Sequence, residues 1–228
     1  GNQEGINYAV SCLEADYVII ANPDIQVTPR CIRRVKDALD KTQGAVAASA
    51  RVKDPMGGEL FSYWTLLPLW KDLLDTGLVT RRLFKAMLNM PSYRLGYGGD
   101  EDCRLVDAVP GSFFMLKTGI LTPGEIKEVF DKHIFLYYEE KVLGQKFRKM
   151  GLKTVLVTDE SYVNAHSVSI DKSFKRIVDK QRLLHRSKLY YYKEYLGTGP
   201  AGMAAARAVL GLVLAEVWFL TVVCRMRW

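Results

Sequence analysis

Two adjacent carboxylates, Glu139 and Glu140, stand where the apolar, strand-like run Phe135-Leu-Tyr-Tyr gives way to a helical pattern. In that pattern Val142, Leu143, Phe147 and Met150 share one face, Lys146, Arg148 and Lys149 crowd the last turn, and Gly151 supplies a C-terminal stop. Acids in a first helical turn feel the positive end of the helix dipole, which favours the ionised form that a general base working near neutral pH needs. Ordinary helix-end electrostatics produces the same pattern without any chemistry. Asp24 follows the apolar run Tyr17-Val-Ile-Ile-Ala21 and the segment Asn22-Pro23, where the proline keeps Asn22 extended and stops the strand. That places Asp24 just beyond a carboxyl end of a strand, where ligands bind in open α/β sheets. His166 follows a later strand. A carboxylate oxygen and an imidazole suit a divalent cation such as magnesium or manganese, with the Glu139–Glu140 pair as a nearby base. Taken singly, Asp24 also reads as a turn residue and His166 as an ordinary histidine.

The elements that must position these groups follow an α/β pattern. A helix over residues 5–14 leads into the strand Tyr17–Ala21, Thr28 caps a helix with Pro29 at its first position, and Ile32, Val35 and Leu39 form its buried stripe to about Lys41. Gln43-Gly44 breaks the helix and residues 45–50 form a second buried strand, so the succession implies a right-handed parallel crossover. Residues 51–102 mix Trp64, Trp70, Phe84, Met87, Leu88 and Met90 with Gly and Pro at no sustained period and read as a variable insertion, a partly helical flap. Residues 105–117 form a strand segment interrupted by Pro110-Gly111-Ser112, where the backbone turns or comes close to something. A short helix after Thr122-Pro-Gly124, a strand over residues 152–158, an outward-leading stretch from Tyr162 to His166 and a basic helix over about 173–195 complete the domain.

At 228 residues and 49% hydrophobic content the chain supports one substantial core. Four cysteines without CxxC or CxxH spacing give neither a zinc knuckle nor a disulfide framework, which fits a reducing cytoplasmic setting. The net charge of +7 is carried by residues 172–193, where eight Lys or Arg face the single acid Asp179. One basic helix beside an apolar tail points to anionic lipid headgroups or diphosphates and away from nucleic acid, with a solvated charged face as the plain alternative. Between Ala208 and Cys224 the only charge is Glu216. At 1.5 Å per residue that apolar run reaches about 25 Å, short of the ~30 Å hydrocarbon core, so a helix lying in the membrane surface is expected, ahead of a span or a packing helix.

The order of motifs resembles the inverting family 2 glycosyltransferases of GT-A fold, particularly the bacterial rhamnosyltransferase-like branch. Gly1-Asn-Gln-Glu-Gly-Ile-Asn7 followed by Ala15-Asp-Tyr-Val-Ile-Ile-Ala-Asn-Pro-Asp24 is similar to the family's glycine-asparagine helix and the "LNPD" version of its DxD motif. Val106-Asp-Ala-Val-Pro-Gly-Ser-Phe-Phe-Met115 resembles "VDxVxGAxxM", residues 129–140 resemble "GxFDExFFLYYED", and Asn164-Ala-His-Ser-Val-Ser169 resembles the "H-x-x-S" segment. The resemblance covers residues 1–50 and 104–196. It implies a Rossmann-like, mostly parallel sheet with flanking helices, in a partial domain over residues 1–196, followed by a membrane-associating helix over 197–228. It also implies transfer of a sugar, rhamnose among the candidates, with inversion from a nucleotide-diphosphate sugar to a glycan or lipid-linked acceptor at the cytoplasmic membrane face. Asp24 and His166 would hold Mn²⁺ or Mg²⁺, and Asn22 would contact the ribose or a metal-bound water. Glu140 would be the base, with Glu139 the alternative because the family carries Asp at the second position. Gly111 and Ser112 would let backbone approach the donor sugar, Asp107 would bond sugar or acceptor hydroxyls, and Arg182, Arg186 or Lys188 would hold the diphosphate. The family's first strand and its "DNxS" segment have no counterpart here, so a domain truncated at its N-terminus is expected. Two other readings are a non-catalytic membrane-associated module or inactive fragment, and metal-dependent nucleotidyl transfer, which lacks a glycine-rich phosphate loop here.

Overall fold

A computed structural model describes residues 2–13, 15–83, 102–134, 136–165 and 177–224. In chain order the elements are helix α1 (Asn2–Cys12), strands β1 (Tyr17–Ala21) and β2 (Ile25–Gln26), helix α2 (Pro29–Lys41), strand β3 (Ala45–Lys53), the short helices α3 (Leu69–Leu74) and α4 (Leu78–Leu83), and strands β4 (Cys103–Val106) and β5 (Phe113–Lys117). Helices α5 (Pro123–Lys127) and α6 (Glu139–Lys149), strand β6 (Lys153–Asn164), and helices α7 (Ile177–Glu194) and α8 (Pro200–Trp218) follow. They form two compact units. One holds the sheet with α1, α2, α5 and α6; the other holds α3, α4, the segment Leu136–Tyr138, α7 and α8.

The six-stranded sheet of the first unit runs β1-β5-β3-β6-β2, with β4 also paired to β6. Strands β1 and β3 both lie antiparallel to β5, which sits between them, so the β1–α2–β3 crossover joins strands of one direction that are not neighbours. Only the β3–β6 ladder is parallel among the described residues; β1–β5, β3–β5, β2–β6 and β4–β6 are antiparallel. The expectation of a mostly parallel sheet is therefore corrected to a mixed one. Strands β4 and β5 both run against β1, β3 and β6, and β5 enters between β1 and β3, where the Ser49 hydroxyl donates to the Phe113 carbonyl at 2.7 Å. Of the stretch expected to lead outward from Tyr162 to His166, residues 162–164 instead continue β6, which has a register break opposite Ala50 and Arg51.

Alternation along β5 builds the core on both faces of the sheet. Phe113 and Met115 pack with Val155 and Val157 under Cys31, Val35 and Leu39 of α2. Phe114 and Leu116 face the other way, with Leu156, Val10 of α1, and Leu143 and Phe147 of α6. Each such side chain contributes about 1.5–3 kcal/mol by leaving water. Helix α2 starts as its sequence dictates: the Thr28 hydroxyl accepts the Cys31 N–H at 3.1 Å and Pro29 opens the first turn.

In the second unit the Asp72 carboxylate, 1% exposed, accepts the hydroxyls of Tyr138 and Tyr192 at 2.5 Å each and pairs with the Lys188 ammonium at 3.1 Å. Lys188, expected as a surface cation for diphosphate, is thus a buried ion-pair partner. Helix α8 runs on through a wider π turn to give 24 residues from Pro200 to Val223, with a mean hydropathy of 1.9 over its most apolar 18 residues. It begins eight residues before the apolar run that starts at Ala208, so its length is about 36 Å, not 25 Å, and exceeds the ~30 Å hydrocarbon core. Met203, Ala206, Leu210, Val213 and Val217 fill one buried stripe, and Glu216 accepts the Val79 N–H at 2.9 Å.

Candidate active site

Helix α6 begins at Glu139, as the charge pattern predicts, but the preceding residues are not a strand. Tyr137 and Tyr138 take left-handed φ values of 66° and 71°, a conformation that costs a non-glycine residue about 1–3 kcal/mol. No helix continues backwards through two such residues, so the first turn of α6 starts with the two acids.

Glu140 turns to the sheet. Its Oε1 accepts the Gly111 N–H at 3.3 Å. Next to it, the Ser112 carbonyl accepts the Asn22 N–H at 2.8 Å, and the Ser112 hydroxyl shares a 2.7 Å hydrogen bond with the Tyr162 hydroxyl. The Asp24 carbonyl accepts the Ala165 N–H at 3.2 Å, beside the Ile25–Asn164 pairing of β2 with β6. Asn22, Asp24, Gly111, Ser112 and Glu140, far apart in sequence, are thereby gathered where β1 ends, β5 begins and β6 ends. His166, the other expected ligand, lies outside the described residues, one position beyond Ala165.

Burial decides the protonation of the acid pair. Glu139 is pushed up to about 8, first by desolvation and then by the charge of Glu140. It faces a small void of about 10 Å³ lined by Val129, Phe130, Ile134 and Leu143 together with Gln3 and Asp131. Desolvation raises Glu140 as well; each carboxyl is favoured by its own amide, but only Glu140 also gains the Gly111 N–H and the charge of Lys141. The negative charge of the pair is therefore favoured at Glu140, and Glu139, raised to about 8, favours the proton at neutral pH. The expectation that the helix dipole keeps the pair ionised is corrected: loss of water outweighs it.

Asp107 is committed elsewhere. Its Oδ2 accepts the Leu66 N–H at 2.8 Å and its Oδ1 pairs with the Arg148 guanidinium at 2.6 Å, on the wall of a cleft of about 590 Å³. Arg182 and Arg186 belong to the second unit, where Arg182 pairs with Asp179 at 3.3 Å and Arg186 is exposed. Among the described residues no group of three or more His, Cys, Asp or Glu converges as a metal cage. Of the two expected cation ligands only Asp24 lies among the described residues. Asp24 offers an exposed carboxylate, and its main chain is bonded to the residue preceding His166.

Sequence reasoning missed Asn7, whose side-chain amide brackets Phe130 by donating to its carbonyl at 2.7 Å and accepting its N–H at 2.9 Å. The signal was a polar residue between Ile6 and Val10 on the apolar side of α1. It also missed Tyr162, which steadies Ser112. No family model matches the chain, and no curated protein matches its sequence.

Proposed function

We propose that the chain is a metal-dependent inverting glycosyltransferase that moves a sugar from a nucleotide-diphosphate donor to a hydroxyl of a glycan or lipid-linked acceptor at the cytoplasmic face of a membrane. The reading rests on the Glu140–Gly111 contact, which sets an ionisable carboxylate beside the turn that opens β5, at the end of the sheet that carries Asp24. Glu140 takes the proton of the acceptor hydroxyl, whose oxygen attacks the anomeric carbon while the bond from that carbon to the diphosphate oxygen breaks. Glu139, protonated at neutral pH, keeps a second negative charge away from the attacking oxygen. Asn22 and the backbone of Gly111 and Ser112 line the approach to the donor. Asp24 and His166 would hold a divalent cation, whose charge would offset that of the departing diphosphate.

The test is release of nucleoside diphosphate from dTDP-rhamnose and UDP-hexoses in the presence of Mn²⁺. Glu140→Gln is expected to lower release at least ~100-fold while donor binding persists. Full activity in that variant removes Glu140 from the chemistry. A second reading, a non-catalytic membrane-associated module, is favoured by the apolar helix that starts as α8, whose most apolar 18 residues are only 22% buried. Liposome binding without turnover of any nucleotide-sugar would select it.

A further inference from the structure

The cleft of about 590 Å³ lies in the first unit, away from the Asp24 end of the sheet. Its floor is the edge formed by β4 and the start of β6, where Val106 pairs with Thr154 and Arg104 with Leu156. Thr154 and Asn164 are ten residues apart on β6, roughly 30 Å of strand at ~3.3 Å per residue. The donor-side contacts of Asp24 are therefore remote from this floor. Its wall is α6, which carries Gly144 and Arg148 one and two turns after Glu140.

Charge sets what the cleft accepts. Asp107 and Arg148 neutralise one another across its wall. Arg104 and Lys153 are exposed, and among the described residues neither has an acidic partner. Two uncompensated cations face a volume inside the ~300–1,000 Å³ range of small-ligand sites. A phosphate monoester, carrying about −1.5 to −2 near neutral pH, matches that surplus, and a guanidinium binds it bidentately. The hydroxyls of Thr65 and Thr154 and the ring of Tyr63 also line the space; hydroxyl donors and an aromatic face are the groups that recognise a sugar ring.

We infer that this cleft is a binding site for a phosphorylated sugar, separate from the donor-binding end of the sheet and independent of whether the chain transfers sugars. Isothermal titration of the full chain in detergent micelles tests it, with glucose 6-phosphate, inorganic phosphate and glucose as probes. Glucose 6-phosphate is expected to bind saturably, at least ~10-fold more tightly than either other probe. Arg104→Gln and Lys153→Gln, both on the surface, should each weaken it about 10-fold, and the double variant should abolish it. Arg33→Gln, an exposed cation on α2, should leave it unchanged. Absence of saturable binding, equal affinity for inorganic phosphate, undiminished binding in the double variant, or equal weakening by Arg33→Gln would each overturn the assignment.

Discussion

The carboxylate of Glu140 accepts the main-chain N–H of Gly111 at 3.3 Å, tying the first turn of α6 to the turn that opens β5. This bond distinguishes two chemically identical neighbours. Glu140 has the Gly111 donor to stabilise its charge, whereas Glu139 lacks it and feels the charge of Glu140. The acid–base asymmetry of the pair follows from that one backbone amide together with burial.

Gly111→Ala should test the bond without unfolding the chain. A Cβ there would lie 3.3 Å from Glu140 Oε1, the end of a flexible side chain. The carboxylate would yield by a few tenths of an ångström, so stability should change by less than about 0.5 kcal/mol. Glu140 loses part of its hydrogen bond and its charge becomes less favourable. The pH profile of transfer should therefore move to higher pH, as should the carboxyl titration followed by NMR. An unmoved titration would mean that the Gly111 amide does not tune Glu140.

Opposite pH responses are expected in the two units. Glu139 titrates near 4.5 when unfolded and about 8 when folded. Between those values the folded state holds the extra proton, and first-unit stability falls as pH rises. In the second unit His185 is lowered from 6.5 to about 4 by desolvation and the Lys188 charge. There the unfolded state holds the extra proton, so stability falls as pH drops from 6.5 towards 4. Hydrogen exchange of β5 amides should accelerate between pH 6.5 and 8 beyond the intrinsic base-catalysed rate, and Glu139→Gln should remove that excess. Amides of α7 should lose protection below pH 6.5, less so in His185→Gln. Identical pH dependence of both units would contradict the assignment.

Local signals in the sequence were read well and non-local ones were not. The Thr28-Pro29 start of α2, the acid start and Gly151 end of α6, and the buried β3 are each set by residues within a few positions. The place of β5 between β1 and β3 was invisible, because an apolar strand carries no mark of its neighbours' direction. The left-handed Tyr137–Tyr138 pair was hidden too, since tyrosine is a strand former and nothing local demands positive φ. Lys188 sits in a run of basic residues that reads as solvated, and only the fold shows Asp72 opposite it. Of the candidate site, the grouping of Asn22, Asp24, Gly111, Ser112 and Glu140 followed from motif order, while their protonation required burial.

Gly144→Ala should be costly for a reason that helix propensity inverts. Alanine is worth about 1 kcal/mol over glycine inside a helix. At this position its Cβ would meet the Asp107 carbonyl at 2.3 Å and the Ala108 Cβ at 3.2 Å. Overpacking against backbone costs about 1–3 kcal/mol, so urea denaturation should show a net loss. Gly5→Ala in α1, with nothing within 4 Å of its Cβ, should gain up to about 1 kcal/mol.

The Asp72–Lys188 pair should behave as a buried charge pair. Removing one partner by Lys188→Met strands a carboxylate that is 1% exposed, at a cost of about 3–5 kcal/mol. Adding Asp72→Asn removes that charge yet leaves an amide oxygen for the Tyr138 and Tyr192 hydroxyls. The double variant should recover more than half of the loss, read as the coupling term of a double-mutant cycle by denaturant titration. Additive losses would show that the pair acts through packing alone.

Helix α8 is long enough to cross a bilayer, but its packing predicts that it lies in the surface. Its buried stripe packs in the second unit, where Val213 and Val217 meet Val178 of α7, and Glu216 is tied to Val79. Crossing would carry Lys180, Arg182 and Arg186 of α7 towards hydrocarbon, at a cost of about 2.5–3.5 kcal/mol per charge. The opposite side exposes Leu212, Trp218, Phe219 and Val222, the apolar half of an interfacial helix. Full-length protein should co-sediment with vesicles containing anionic lipid, and serine at Leu212, Phe219 and Val222 together should reduce the bound fraction at least ~10-fold. Cys224, exposed just beyond the helix, should react with an impermeant maleimide added outside sealed vesicles in a Cys12→Ser background. A helix lying in the outer leaflet leaves that thiol accessible, whereas protection of Cys224 would establish a span and require α7 to separate from α8.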